Sequence, residues 1–146
     1  MAHNYQEKIV SLWSVFLLGL LFHTQLGLMP LFHGLNVVVS QAQNMEAIAP
    51  VMWLMLAFFA LPMAAIVGTV MTHARRFRTI HFWFTALYTL LNLSHLIADL
   101  MVQPIIWYQI MLMLILFIIG LLINLVAWQW MRDGRNIHMK DSERFA

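Results

Sequence analysis

Four long apolar segments separated by polar connections dominate the hydrophobic pattern of the chain. They are residues 9–32, 48–72, 80–102 and 105–131, and a polar segment, 132–146, follows the last of them. Each is long enough for the roughly 20 helical residues that cross the hydrocarbon core of a bilayer. The pattern predicts an all-α fold: a transmembrane up-down-up-down four-helix bundle, forming one membrane domain over residues 1–146. We expect a multi-pass integral membrane protein of the bacterial inner-membrane type.

The third segment differs from the others because polar side chains recur along it at a regular spacing. That spacing alternates between four and three residues, which keeps the side chains on one face of an α-helix. The series is His81, Thr85, Tyr88, Asn92, His95 and Asp99. Leu, Ile, Phe and Trp fill most other positions. This polar face is therefore predicted to form the binding site of the protein, while the remaining faces contact lipid or other helices.

The first segment has some features of a secretory signal peptide. Its apolar part is longer than the usual ~7 to 15 residues, only Lys8 precedes it as a basic residue, and no small-x-small cleavage site follows. We therefore interpret it as a membrane span. The second segment carries Pro62 near its middle, which predicts a kinked helix, because proline removes a backbone donor and clashes with the preceding turn.

The basic residues indicate an orientation. All eight lie in three places: Lys8, the cluster of three arginines at 75–78, and the segment 132–146, whereas the connections 31–47 and 102–104 have none. By the positive-inside rule, both termini are predicted to be cytoplasmic and these two connections to lie outside. The six tryptophans lie near span ends, as expected of interfacial aromatic belts.

Composition supports this class and excludes several kinds of chemistry. The chain is 62% hydrophobic and 10% charged, with a mean hydropathy of +0.79. The absence of cysteine excludes disulfides, iron–sulfur clusters and thiolate metal sites. No basic patch interleaved with aromatic residues suggests nucleic acid. Hydrolase motifs are absent, and Asp99 is the one acidic residue within a span.

A pair of histidines at matching depths is the main functional signal. His23 lies 15 residues after Lys8, and His95 lies 17 residues after Arg78. Each is therefore roughly 22 to 26 Å from the cytoplasmic anchors, in the outer half of the bilayer. The first and third helices of such a bundle are diagonal partners, roughly 11 to 14 Å apart, and two imidazoles with an iron between them fill that gap.

Glycines flank the first of these histidines in the pattern Gly-x3-His-x3-Gly, formed by Gly19, His23 and Gly27. They leave room for a flat macrocycle to approach the helix backbone, although small residues also serve simply to let membrane helices pack closely. Together these features predict a small b-type cytochrome that binds heme b through His23 and His95. Asn92, Tyr88 and Asp99 would then tune the haem or handle protons.

This layout is similar to that of four-helix transmembrane b-type cytochromes, which carry histidines on diagonal helices. The resemblance implies electron transfer, with a quinone or a redox protein as partner and membrane lipid as the surroundings. An oligomer or a larger complex is compatible with it.

Three other functions fit the same residues. The polar face of the third span suits a proton-conducting or ion-conducting bundle. An accessory subunit of a larger membrane complex needs only the helices. An outer-leaflet copper or zinc binder would use histidine together with methionine, because thioether and imidazole ligands suit Cu(I). The twelve methionines, among them Met29, Met45 and Met52 near the outer surface with His33, are better interpreted as apolar filler.

A second polar group lies at the cytoplasmic end. His73 and His81 flank the arginine cluster and are predicted to be interfacial, with a second, inner haem as the less favoured interpretation. The arginines could bind haem propionates, a quinone head group or anionic lipid, but the topology rule alone accounts for them.

Overall fold

The computed structural model describes residues 4–38, 42–72 and 74–144, with residues 134–144 described by their backbone alone. Four α-helices make up most of these ranges: α1 (Tyr5–Leu28), α2 (Met45–Met71), α3 (Arg75–Met101) and α4 (Trp107–Arg144). A short 3₁₀ helix, Met29–His33, continues α1. No strand occurs in the ranges described. All four helices are long and apolar enough to cross a membrane, which confirms the predicted helical membrane class.

The helix bounds differ from the apolar segments in ways that backbone hydrogen bonding explains. α1 begins at Tyr5 because the Asn4 side chain accepts a hydrogen bond from the Glu7 amide, and Asn44 caps α2 by accepting from Ala47. α4 continues to Arg144, well beyond the predicted end at residue 131. Hydropathy identifies the part of a helix that can lie in lipid, whereas the backbone hydrogen bonds of the helix continue until a residue interrupts them. Pro62 likewise lies inside an uninterrupted α2.

The core lies along α1 and α4. Ile9, Trp13, Phe16 and Leu20 are spaced four, three and four residues apart, and all four are buried. Met113, Leu116, Ile123, Ala127 and Trp130 form the matching buried face of α4. The close approach of the two helices is visible at Gly19, where an added Cβ would collide with the Leu116 side chain. Burial of one stripe on each helix therefore joins α1 to α4.

The polar face of α3 completes this core. His81, Thr85, Tyr88, Thr89 and Asn92 are buried, together with Leu96. α3 packs mainly against α4, and its side chains meet those of α1 across the bundle. The predicted polar face thus points into the protein rather than into lipid.

α2 is the most peripheral helix. Its buried residues are Pro62 and Thr69, and it packs mainly along α1. Contacts with α3 occur where Phe58 stacks on Tyr88, with ring centroids 5.0 Å apart, and where Gly68 meets Phe77. Apolar side chains cover the rest of α2 and are exposed on the surface of the isolated chain, as expected for a helix facing lipid.

The tryptophans divide into two groups. Trp53, Trp83, Trp107 and Trp128 are exposed, in keeping with an interfacial role, whereas Trp13 and Trp130 are 1% and 3% exposed. The prediction that all six form aromatic belts is therefore wrong for these two. Their indole rings pack in the core around His81, because a polar partner inside the bundle satisfies the Trp13 N–H.

Candidate functional site

His23, His95 and Asp99 come together where α1 and α3 end, and we call these three residues the triad. One ligand atom from each lies within 4.8 Å of the other two. The two imidazole rings are nearly perpendicular, with centroids 5.5 Å apart. His23 and His95 were predicted to lie at matching depths on diagonal helices, and their rings do meet. The haem iron predicted between them stays a prediction. Asp99, one helical turn beyond His95, is brought to both histidines.

The distances within the triad are too long for hydrogen bonds but short enough for shared ligation. Asp99 Oδ2 lies 3.6 Å from His95 Nε2 and 3.8 Å from His23 Nε2. Zinc bonds of about 2.0–2.1 Å in a tetrahedron separate two ligand atoms by about 3.3–3.4 Å. Asp99 Oδ2 and His23 Nδ1 are buried without a hydrogen-bond partner among the described residues. The ligand atoms of the three groups therefore lie close enough together to hold one cation.

The three side chains of the triad differ in their exposure. The His95 side chain is 54% exposed, that of Asp99 23% and that of His23 14%. Asp99 is two residues from the end of α3, and His23 is five residues from the end of α1. The site thus lies close to one end of the bundle, with His23 on its inner side and His95 at its opening.

A cavity of about 440 Å³ adjoins the triad and is bordered by all four helices. His23, His95 and Asn92 contribute to its lining, and Thr24 and Gln109 add two further polar side chains. The remainder of the lining is apolar, apart from the backbone at Gly27. It consists of Leu20, Leu54, Met55, Phe58, Phe59 and Met113. An apolar cavity with a few converging polar groups is the usual form of a small-molecule site.

Asn92 is the most deeply buried polar residue of this cavity. Its side chain is 2% exposed, and its Oδ1 has no hydrogen-bond partner among the described residues. A second buried amide oxygen, Asn124 Oδ1, is also unpartnered but does not line this cavity, so the cavity is what makes Asn92 Oδ1 a candidate acceptor for a ligand. Asn92 lines the same cavity as both histidines, and its predicted role in supporting a cofactor stays a prediction.

The other residues of the polar face hold helices together. Tyr88 donates its hydroxyl to the Phe58 carbonyl at 3.0 Å, which joins α3 to α2. Asn124 donates to Thr89 Oγ1 at 2.9 Å, which joins α4 to α3. Thr85 donates back to the Phe82 carbonyl of its own helix. Tyr88 therefore lies one helical turn further from the triad than Asn92, and its hydroxyl is hydrogen-bonded to α2.

The two glycines predicted to admit a macrocycle have different surroundings. Gly27 borders the cavity, and an added Cβ would lie 3.5 Å from Gln109 Nε2, an ordinary contact. Gly19 faces α4 and is filled by the Leu116 side chain, so it serves helix packing. The sequence pattern could not separate these roles, because both glycines lie one turn from His23 and only the position of α4 distinguishes them.

Two other histidines with described side chains, His33 and His81, lie apart from the triad. His33 ends the 3₁₀ helix and is exposed. His73 falls outside the described residues. His81 was predicted to be interfacial, but it is 2% exposed and accepts a hydrogen bond from Trp13 Nε1 at 3.1 Å. His81 is buried because it lies on the same face of α3 as Asn92. The prediction used only its depth in the membrane and not the direction in which that face points.

Three polar residues of this region were not anticipated. Thr24 and Gln109 line the cavity, and Thr89 lies among the buried side chains of α3. A signal for Thr89 was available, since it is four residues from Thr85 and three from Asn92. Thr24 and Gln109 gave no periodic signal, because neither belongs to a series of polar residues at helical spacing.

Comparison with known proteins leaves the site to be interpreted on its own geometry. No protein-family model matches the chain, and neither the curated proteins nor the solved structures contain a match to it.

Proposed function

We propose that this protein is a membrane metal-binding protein whose triad holds one divalent first-row transition metal, with zinc as the leading candidate. The observation that carries the proposal is the convergence of two imidazoles and one carboxylate, with Asp99 Oδ2 within 4 Å of both Nε2 atoms. Two histidines and a carboxylate form the ligand set of catalytic zinc sites and of non-haem iron(II) sites. Placing ionisable groups in membrane helices is costly, and ligation by a cation offsets that cost.

Three protein ligands leave at least one coordination position free. The adjoining cavity, bordered by His23 and His95, is where a water or a small molecule would occupy that position. A metal with an open position polarises a bound oxygen and lowers the pKa of bound water. The site is thus suited to chemistry on a molecule in the cavity rather than to a purely structural ion.

The proposed placement in the membrane is up-down-up-down with both termini in the cytoplasm. Contacts between α2 and α3 support alternation, because Phe58 pairs with Tyr88 while the later Gly68 meets the earlier Phe77. The distribution of basic residues supports the orientation. The triad then lies near the outer surface, where it can take up metal from outside the cell.

Metal content of the purified full-length protein tests the proposal. We expect about one zinc per chain by elemental mass spectrometry, and cobalt substitution should produce the visible absorption of a four- or five-coordinate Co(II) site. His23→Leu, His95→Leu and Asp99→Asn should each lose metal, because each removes one of three ligands. The loss should exceed the roughly 10- to 100-fold that changes outside the ligand set produce.

His33→Leu is the matched control, since His33 is an exposed histidine near the end of α1 but outside the triad. It should retain zinc in full. All variants should keep the helical circular dichroism of the wild type. If wild-type protein reconstituted with excess Zn²⁺, Fe²⁺ or Co²⁺ binds none of them, the metal proposal is wrong, and the triad is an electrostatic contact between helices.

A b-type haem bound by His23 and His95 is the second candidate, and the position of the adjoining cavity favours it. The cavity borders both imidazoles and Gly27, where a macrocycle could approach the backbone. Asp99 is the obstacle. Its Oδ2 lies within 4 Å of both Nε2 atoms, in the region between the two imidazoles that the macrocycle would fill. Haem binding therefore requires this carboxylate to turn away, whereas a metal ion uses it in place.

The same variants separate the two candidates. A haem protein would show a reducible low-spin spectrum that is lost in His23→Leu and His95→Leu and retained in Asp99→Asn. A metal-ion site would lose its metal in all three variants and show no such spectrum. Retention of metal by Asp99→Asn together with a haem spectrum would replace the first proposal by the second.

A further inference from the structure

We infer that the cavity beside the triad binds a membrane-derived amphiphile with a hydroxyl head group, and that this hydroxyl donates a hydrogen bond to Asn92 Oδ1. The inference rests on the proposed function in one respect, because the head group would lie next to the metal. The hydrogen bond to Asn92 is independent of the metal.

The state of Asn92 defines the chemistry of the head group. Its Oδ1 is buried and unpartnered among the described residues, and leaving such an atom unsatisfied destabilises the protein. An oxygen of this kind accepts and cannot donate. A ligand that satisfies it must therefore bring a donor, and a hydroxyl is the donor that an uncharged membrane molecule most readily carries. Head groups with acceptors alone, such as esters and ethers, leave the oxygen unpaired.

The rest of the cavity favours an apolar chain. Six of its twelve lining residues have apolar side chains, and four of these, including Phe58 and Phe59, belong to α2. A volume of about 440 Å³ is within the range of small-molecule sites and accepts a head group with the first part of a chain. A small hydrophilic metabolite would meet few of its hydrogen-bonding needs here.

The α2 side of the cavity connects it with the bilayer. Leu54 and Met55 line the cavity, yet they are 67% and 42% exposed, so their side chains border both the cavity and the lipid. The 27 residues of α3 span about 40 Å, against a hydrocarbon core of about 30 Å. The triad, near one end of α3, therefore lies close to the boundary of the hydrocarbon region, and Asn92, seven residues before Asp99, lies about 10 Å deeper.

Photocrosslinking tests the inference with probes of defined head group. Full-length protein in phosphatidylcholine nanodiscs is exposed to a diazirine-bearing hexadecanol, to its methyl ether, and to a diazirine-bearing prenyl hydroquinone. The labelled residues are then mapped by mass spectrometry. We expect at least one of the two hydroxyl probes to label residues 54–59 of α2 at least fivefold more than the ether does. The hydroxyl probe that labels more strongly identifies the source as a lipid alcohol or as a quinol.

Asn92→Leu should abolish the preference for the hydroxyl over the ether, whereas Asn92→Asp, which keeps an acceptor, should retain it. Ser94→Ala is the matched control, because Ser94 lies on the exposed side of the same helix and bonds only to the Leu90 carbonyl. Met55→Trp, which fills the cavity from its exposed side, should reduce labelling by both hydroxyl probes. Labelling of the wild type by neither hydroxyl probe above the level of the ether, or an unchanged preference in Asn92→Leu, would overturn the inference.

Zinc measured in the same samples separates the two proposals. Asn92→Leu should keep its metal while losing hydroxyl selectivity. Hydroxyl-selective labelling of a metal-free wild type would remove the metal proposal and keep this inference. A zinc-loaded protein labelled equally by the hydroxyl and ether probes would keep the metal proposal and overturn this inference.

Discussion

The pairing of Trp13 with His81 shows how single residues satisfy each other inside the bundle. The Trp13 N–H donates to His81 Nε2, and Phe77, Trp130 and Tyr88 surround the pair with aromatic rings. Because Nε2 accepts, a neutral imidazole carries its proton on Nδ1. Both members are almost fully buried, so each depends on the other for its hydrogen bond.

We predict that Trp13→Phe destabilises the protein by about 1–3 kcal/mol, since it leaves the His81 nitrogen buried and unpaired, with a further loss from the vacated indole volume. Unfolding in mixed detergent, followed by circular dichroism, measures the change. Trp83→Phe on the exposed side of α3 is the control and should have little effect. A Trp13→Phe protein as stable as the control would show that the hydrogen bond contributes nothing.

Separate residues of α3 serve two purposes, structure and binding. Toward the arginine-rich start of the helix, its polar groups bond to neighbouring helices, as Thr89 does with Asn124. Toward its end, Asn92 Oδ1 and the triad carboxylate lack hydrogen-bond partners among the described residues. His81 Nδ1, nearer the start of the face, is also buried without a partner among the described residues, so the end of the face differs in the cavity and the convergence of the triad rather than in unmet hydrogen bonds alone.

The bond between Thr89 and Asn124 should join α3 to α4 with a modest coupling energy. A double-mutant cycle of Thr89→Val and Asn124→Leu, measured by detergent unfolding, is expected to give about 0.6 kcal/mol and no more than about 1.7 kcal/mol, as found for hydrogen bonds between membrane helices. Gly120 lies next to Thr89, so the close approach of the helices persists in these variants. Additive effects of the two substitutions would mean that packing, not the hydrogen bond, joins the helices here.

The molecule as a whole has a well-packed part and a loosely attached part. α1, α3 and α4 share the buried core, while α2 contributes few buried residues and closes the cavity on one side. A helix with few buried contacts opens at low free-energy cost compared with the core. This arrangement suits a site that exchanges a ligand with the bilayer.

Single cysteines in this cysteine-free chain test the orientation of the whole molecule. We expect Gln43→Cys, between α1 and α2, to react with an impermeant maleimide added to intact cells, and Ser142→Cys to react only after the membrane is opened. The reason is that the connection carrying Gln43 has no basic residue, whereas four lie in 132–146. Labelling of both positions from the same side would reverse or break the proposed topology.

Much of the candidate site could be predicted because it depends on helical spacing. Once α1 and α3 are helices crossing the same membrane, residue counts from the basic anchors bring His23 and His95 to one level, and the turn from His95 to Asp99 adds the carboxylate. The role of Gly19 could not be predicted in this way, because it depends on which neighbouring helix faces it. The burial of Trp13 and Trp130 could not be predicted either, since tryptophan occurs both at membrane interfaces and in protein cores.

The sequence by itself determined the class of the protein, its four membrane-length helices and the polar face of α3, because these follow from local periodicity and the thickness of a bilayer. Tertiary structure alone decided the surroundings of Asp99, whose carboxylate is within reach of both histidines. It also decided that a cavity lies beside unpartnered Asn92. The physical reason is that ligation and cavities depend on atoms separated by more than 70 residues, whose distances are set by helix packing rather than by spacing along the chain.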